Sequence, residues 1–179
     1  MALVALVILC LAIPAAVLGF ALTLDSAKTA TTTHVRAGIG KPAPDFRLPT
    51  VDGRMVSLLH YRGRPVVLTF FASWCHPCEE ELPVLERLQR EHGRRLQIIG
   101  VNYQDHIGSD SADFVHRLGV TFPAALQPDG DPVASAYGVH DIPQTFFVDG
   151  AGVVRDRIFG GTSRKVLQPS IDALFRTSA

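Results

Sequence analysis

Two of the three cysteines in the chain, Cys75 and Cys78, are separated only by His76 and Pro77. Cys75 follows an apolar run typical of a buried strand, and helical periodicity begins at Pro77. Cysteines at this spacing in a first helical turn bring their Cα atoms to about 5.5 Å, which suits a disulfide. The positive end of the helix dipole and the unpaired N–H groups there favour a thiolate on the first cysteine. The pattern predicts a redox pair in which Cys75 is the nucleophile and Cys78 the resolving thiol.

Three other roles for the two cysteines stay open at this point. A zinc site would need two further ligands, but the third cysteine is Cys10 in an apolar N-terminal segment, and no H-x₃₋₅-H pair is present. A structural disulfide that closes so short a loop would constrain the unfolded chain only slightly. Two unreactive core thiols are the third possibility. Redox chemistry is the preferred interpretation, and neither a metal nor a cofactor is expected.

The elements that must position this pair follow from the hydrophobic pattern. The Asp52-Gly53 dipeptide predicts the turn of an N-terminal hairpin. Strands are predicted at residues 65–73, at 96–104 and on both sides of a turn within 145–159. Helices are predicted from residue 77 to near Gly93, and at 111–119, 132–139 and 163–177, the last with a possible kink at Pro169. This order predicts an α/β fold with a central mixed β-sheet flanked by helices.

The first 24 residues contain no charged side chain. A helix of this length would reach about 36 Å, enough for a hydrocarbon core of about 30 Å. We predict a transmembrane anchor or an uncleaved signal at 1–24, a flexible tether at 25–40 and one folded domain at 41–179. A cleaved signal peptide and a buried helix are the alternatives for the first segment. Basic residues follow this segment and none precedes it, so the positive-inside rule taken alone favours a cytoplasmic domain.

Composition excludes one class of partner. The 179 residues carry no net formal charge, and the sequence pI is about 7.1. No basic run is present that would follow a phosphate backbone. We therefore expect no nucleic-acid partner.

Two separated motifs carry a family resemblance. The stretch FFASWCHPCEEELP, residues 70–83, and the stretch YGVHDIPQTFFVDGAGVV, residues 137–154, resemble the thioredoxin superfamily. Within it, residues 41–176 are similar to the membrane-tethered TlpA-like and cytochrome c maturation-type thiol–disulfide oxidoreductases, which contain a redoxin domain. The resemblance implies a thioredoxin-like fold with an N-terminal hairpin and a central insertion. The segment GVNYQD is similar to the cytochrome-maturation branch, whereas DIPQTFF departs from it.

The resemblance also implies roles for individual residues around the Cys75–Cys78 pair. Trp74 matches the aromatic residue that precedes the pair. Pro143 matches a proline whose preceding peptide bond is cis, and the backbone at Ile142 would pair with a substrate peptide.

Two further side chains would act on the cysteines in opposite directions. Glu81 matches an acidic residue that sits near the cysteines in reductive members, where a carboxylate disfavours thiolates and carries a proton. His76, inside the motif with Pro77, would favour the thiolate when protonated. Glu79 and Glu80 are expected to be only solvated.

The expected function is that of an extracytoplasmic dithiol reductant. Its predicted location is the bacterial cytoplasmic membrane, with the domain on the periplasmic side. Its expected partners are a protein disulfide substrate, such as that of apocytochrome c, and a membrane thiol electron donor. Two alternatives remain. One is a thiol peroxidase of peroxiredoxin type, although Ala72 occupies the threonine position of the T-x-x-C context. The other is a copper-binding assembly factor that uses both cysteines and a histidine.

Overall fold

The computed structural model describes residues 37–105 and 108–177, and it describes the backbone alone at 108 and 109. The predicted membrane segment at 1–24 and residues 25–36 of the predicted tether lie outside the described residues. Within the described ranges, no helix has the length and apolar character needed to span a bilayer.

Five strands of the described residues form a central sheet whose predicted mixed character is confirmed, although the strand at Ala124–Ala125 was not predicted. The strands within the described ranges are β1 (Arg47–Pro49), β2 (Met55–Ser57), β3 (Val66–Phe71), β4 (Gln97–Asn102), β5 (Ala124–Ala125), β6 (Gln144–Val148) and β7 (Val154–Phe159). The sheet order is β5-β4-β3-β6-β7, with β3, β4 and β5 parallel and β6 and β7 antiparallel to their neighbours. Every residue of β3 is buried, which explains its uninterrupted apolar and β-branched sequence.

In the part of the chain that the structure describes, four helices and the N-terminal hairpin cover the two faces of this sheet. The helices are α1 (His76–His92), α2 (Gly108–Arg117), α3 (Pro132–Tyr137) and α4 (Arg164–Thr177), and short 3₁₀ helices span Leu58–Tyr61 and Gly93–Arg95. Helices α1, α2 and α4 pack on one face through residues such as Leu82, Phe114 and Leu167. The β1–β2 hairpin and α3 pack on the other face through residues such as Leu48 and Tyr137. The predicted helices are confirmed with ends shifted by at most three residues, and α4 continues through Pro169.

The chain on both sides of β1 contacts the two edges of the central sheet. Before β1, Pro42 forms a bridge with Val153, the residue that precedes β7; after β1, Thr50 forms one with Ala125 in β5. Farther upstream, the backbone N–H of Ala37 donates to the carbonyl of Ala136 at 3.0 Å. Residues 37–40, which the sequence assigned to the tether, are therefore hydrogen-bonded to the domain.

Candidate active site

The two cysteines lie where β3 passes into α1. Cys75 is the N-cap residue of α1, and its sulfur is bonded to that of Cys78 at 1.99 Å, with the Cα atoms 5.3 Å apart. Cys78 is fully buried, and Cys75 is 4% exposed. Pro77 occupies one of the first helical positions, where a missing N–H leaves no helical bond unmade. The structure thus places the pair at the N-terminus of a helix, as the sequence predicts.

Asp105, in the loop after β4, fixes the chain just before the cysteines. Its carboxylate accepts the backbone N–H of Ser73 at 2.9 Å and the Ser73 hydroxyl at 2.8 Å. It also accepts the hydroxyl of Ser111 in α2 at 2.6 Å. One acidic side chain therefore ties the active-site loop to both β4 and α2.

Trp74 is 59% exposed beside the disulfide. Its indole N–H points to the carbonyl oxygen of Gln104, 3.4 Å away. Gln104 has a left-handed backbone with φ of 52°, and its own N–H donates to Asp131 at 3.2 Å. This strained residue links the tryptophan to the loop before α3, so the aromatic surface next to Cys75 has a defined position.

Pro143 borders the site from the opposite strand. The Ile142–Pro143 peptide bond is cis, as the resemblance implies. The β3–β6 register pairs Gln144 with Phe70, so Pro143 lies beside the end of β3 from which the cysteine loop departs. Ile142 is half-buried and packs against the cluster that contains both cysteines. The carbonyl of Pro143 accepts the N–H of Gly160, whereas the backbone of Ile142 has no hydrogen-bond partner within the described ranges.

Glu81 is 1% exposed, one helical turn after Cys78, and three threonine hydroxyls surround its carboxyl group. The Thr145 hydroxyl lies 2.7 Å and the Thr69 hydroxyl 3.1 Å from Oε1, and the Thr162 hydroxyl lies 3.1 Å from Oε2. The three threonines come from β3, β6 and the loop after β7. Among the described residues no cation contributes to this cage, and the hydroxyl groups that hold the carboxyl group are neutral.

Burial raises the pKa of Glu81 above its ordinary value of 4.5, and the threonine hydrogen bonds only partly oppose this effect. Glu81 therefore keeps its proton to higher pH than an exposed glutamate does. A buried acid with a raised pKa can exchange a proton with a neighbouring thiol.

The first turn of α1 carries His76 and Glu79 on its outer side. The His76 side chain is 85% exposed, and its Nδ1 lies 3.3 Å from Oε2 of Glu79. Arg117 of α2 forms an ion pair with Oε1 of the same carboxylate. The expectation that Glu79 is only solvated is therefore wrong, because α2 brings a cation from 38 residues away. Glu80 is exposed, as expected.

Gly161 packs directly on Pro77 and closes the site from the loop after β7. A Cβ at this glycine would lie 2.9 Å from Pro77 Cβ and 3.3 Å from its carbonyl oxygen. No larger residue fits without moving this loop, which also carries Thr162 to Glu81.

Sequence reasoning missed several residues that the structure brings to the site. Thr69 had one usable signal, since it is the one polar residue inside the otherwise apolar strand β3, whereas Thr145 follows another polar residue, Gln144, at the start of β6. Asp105 and Arg117 had none, because their contacts depend on how distant loops and helices pack. Among the described residues, no group of three or more histidine, cysteine or acidic side chains is arranged to hold a metal ion.

Comparison with known proteins agrees with this geometry. The sequence profile of the AhpC/TSA family matches residues 39–157. The chain belongs to the AhpC/TSA family. This AhpC/TSA protein is 33% identical over 135 residues to the thioredoxin-like protein YneN of Bacillus subtilis, an alignment that covers 74% of this chain and 78% of YneN. It is 33% identical over 147 residues to the thiol–disulfide oxidoreductase ResA of Geobacillus thermodenitrificans, covering 80% and 82%.

A solved structure extends the likeness of this AhpC/TSA protein to three dimensions. The crystal structure of a protein described as the thiol:disulfide interchange protein DsbE from Chlorobium tepidum superposes with a TM-score of 0.71 at 31% identity. The match covers 77% of this chain and 98% of that one. The predicted thioredoxin-like fold is confirmed, and the protein is a redox enzyme of the thiol–disulfide oxidoreductase class.

Proposed function

We propose that this protein reduces disulfides of other proteins outside the cytoplasm and that Glu81 accepts and passes on a proton during the reaction. The observation that carries the proposal is the buried Glu81 carboxyl group, held by neutral hydroxyls one turn after Cys78. A reductant must give up two thiol protons as it becomes a disulfide, and a buried acid with a raised pKa is suited to accept the second one.

The reaction proceeds in two exchanges. The Cys75 thiolate attacks one sulfur of the substrate disulfide, forms a mixed disulfide and releases the other substrate sulfur as a thiolate, which takes up a proton. Cys78 then loses its proton to ionised Glu81, and its thiolate attacks the Cys75 sulfur. This step forms the Cys75–Cys78 disulfide and releases the second substrate thiolate, to which the proton passes. Two electrons move from the enzyme to the substrate, and a dithiol donor must reduce the enzyme again.

The surface around the disulfide suits an extended peptide. The backbone of Ile142, which has no partner in the part of the chain that the structure describes, offers a hydrogen-bonding edge, and exposed Trp74 provides an apolar surface beside Cys75. A protein substrate is therefore proposed rather than a small molecule. The disulfide of an apocytochrome c, opened before haem attachment, is the specific candidate implied by the resemblance.

The location and the electron donor belong to the same proposal. An oxidising compartment would keep the pair as a disulfide, so a reductant there depends on a donor that brings thiol equivalents across the membrane. We propose that residues 1–24 hold the protein at the bacterial cytoplasmic membrane, with the domain on the periplasmic side, and that the donor is a membrane dithiol carrier.

The deciding experiment is the reduction potential of the Cys75–Cys78 pair in the full-length protein. The protein is equilibrated in defined thiol/disulfide buffers, and free thiols are trapped and counted. A value at or below about −220 mV, in the range of thioredoxin and the glutaredoxins, supports a reductant. A value near about −120 mV contradicts the proposal and indicates an enzyme that installs disulfides.

Substrate capture tests the direction of attack independently. A Cys78→Ser variant should accumulate a mixed disulfide between Cys75 and the substrate, because the resolving thiol is missing. The matched Cys75→Ser variant should capture nothing. Capture by Cys75→Ser alone would reverse the proposed roles of the two cysteines.

A further inference from the structure

Glu79 in the first turn of α1 is held between two partners from different parts of the chain. Arg117 of α2 pairs with one carboxylate oxygen, and Nδ1 of His76 lies 3.3 Å from the other. The hydrogen bond from Arg117 is the main reason that the pKa of Glu79 lies below its ordinary value of 4.5. The carboxylate of Glu79 is therefore ionised at neutral pH.

The position of this charge matters because a thiolate forms beside it. Glu79 follows Cys78 directly and lies one helical turn after Cys75. A carboxylate near a helix N-terminus opposes a second negative charge there and so disfavours the reduced, thiolate-bearing form of the pair. The Arg117 guanidinium offsets this effect by pairing with the carboxylate.

The packing around Arg117 ties it to the core beneath the site. Its guanidinium lies 5.3 Å from the centre of the Phe114 ring, and that ring stacks on Phe71 with centroids 6.1 Å apart. Phe71 is the last residue of β3, from which the cysteine loop departs. The arginine is therefore placed by stacked aromatic rings as well as by the carboxylate.

Other charged groups around the cysteines have different partners or none. Asp105 accepts three hydrogen bonds from Ser73 and Ser111. Glu81 lies in its threonine cage. His140 and Asp141, in the loop before Ile142, are both exposed to solvent.

We propose that the Glu79–Arg117 ion pair is a charge-balancing element that orients His76 and sets the reduction potential of the Cys75–Cys78 disulfide. Arg117 and Glu79 are positioning residues, since neither takes part in thiol exchange itself. The inference rests on the redox function proposed above and adds the means by which the potential is adjusted.

The test measures the equilibrium constant between full-length protein and glutathione for charge-removing variants at neutral pH. In this equilibrium two glutathione thiols become one glutathione disulfide as the protein disulfide becomes a dithiol. Arg117→Gln leaves the carboxylate unbalanced, so the reduced form should lose stability by about threefold, or about 14 mV towards more negative potential. Glu79→Gln should shift the constant by a similar factor in the opposite direction. The double variant should return close to wild type.

Two matched variants control for charge alone. Glu80→Gln removes the same charge from an exposed neighbour that has no ion pair within the described ranges. Arg164→Gln breaks the pair that Arg164 makes with Glu91 near the other end of α1. Both control variants should change the equilibrium constant by less than half as much as Arg117→Gln and Glu79→Gln do. Arg117→Lys keeps the charge and provides a test if Arg117→Gln folds poorly; it should lie closer to wild type than Arg117→Gln does.

Shifts of the same sign in Arg117→Gln and Glu79→Gln, or shifts no larger than those of the controls, would overturn this inference. Its failure is separable from failure of the reductase proposal. The absolute potential of the wild-type protein decides whether the enzyme is a reductant, whereas the signs of the variant shifts decide whether this pair tunes it.

Discussion

Replacing Thr145 by valine tests the threonine cage with almost no change in side-chain shape. The Thr145 hydroxyl donates to Oε1 of Glu81 at 2.7 Å, and the side chain is 1% exposed, so water cannot take its place. Hydrogen bonds to charged groups contribute about 1.5–3 kcal/mol. We therefore expect the variant to lose about 2 kcal/mol of unfolding free energy where Glu81 is ionised, or about 4–8 °C in Tm for a chain of this size.

The loss should depend on pH with a defined sign. Removing a donor to the carboxylate raises the pKa of Glu81 further in the folded state, so the folded variant binds protons more readily than the wild type does. The stability difference should thus be smallest in acid, near the ordinary value of 4.5, and should grow as the pH rises through the range in which buried Glu81 ionises. Chemical denaturation at a series of pH values measures it.

The same variant should change the redox kinetics. In the variant, Glu81 becomes a proton acceptor only at higher pH. The pH at which the oxidation of reduced enzyme by a disulfide reaches half its maximal rate should therefore be higher than in the wild type. Thr121→Val is the matched control, since it loses a hydroxyl donor of 2.7 Å to the buried carboxylate of Glu86 instead. If Thr145→Val destabilises equally at all pH values, or if both variants shift the rate profile alike, the proposed role of the cage is wrong.

Three further outcomes follow from contacts around the site and the core. Gly161→Ala should lower the unfolding free energy by about 1–3 kcal/mol in thermal or chemical denaturation, because its Cβ would meet Pro77 Cβ at 2.9 Å. Unchanged stability would mean that this loop can move away from Pro77 at no cost in free energy. Asp105→Ala removes the acceptor of three hydrogen bonds and should slow reduction of a protein disulfide in addition to lowering Tm, whereas an unaltered rate would show that the loop needs no such support. Burial alone would raise the pKa of Glu86, but the hydrogen bonds that it accepts, first from the Thr121 backbone, outweigh burial and lower it. Ionised Glu86 therefore stabilises the fold above about pH 4.5, and this contribution is lost as the pH falls below that value. In acid titration Glu86→Gln should lose less stability than the wild type below about pH 4.5, and an identical slope would contradict this linkage.

Local sequence signals predicted the elements of the fold and the reactive pair. The buried run before Cys75 and the leucines after it fix a strand-to-helix junction, and the cysteine spacing needs no tertiary information. The positions of the prolines did not predict where helices are interrupted. Pro83 and Pro169 both lie inside helices, because each helix buries an apolar face whose packing outweighs the lost backbone hydrogen bond.

The chemical surroundings of the cysteines could be predicted only in part. The motif identified Glu81, but not the three threonines that solvate it, since they come from two strands and a loop that meet only in the folded sheet. The assignment of Glu79 to solvent failed for the same reason. Its partner Arg117 lies on another helix, and nothing in the first turn of α1 indicates that contact.

The chain on both sides of β1 has a consequence for self-association. Its hydrogen bonds with Val154 in β7 and its bridge from Thr50 to Ala125 in β5 occupy backbone positions on both outer strands of the central sheet, which would otherwise offer unpaired groups to a second molecule. Along β7, the backbone N–H of Arg157 is already bonded to the side chain of Asp156 at 2.7 Å. Strand addition is thereby discouraged at the borders of the sheet, away from the backbone at Ile142 where we propose that a substrate peptide docks. For an enzyme that acts on disulfides of other proteins, this covering of the sheet edges lowers the risk of aggregation by strand pairing.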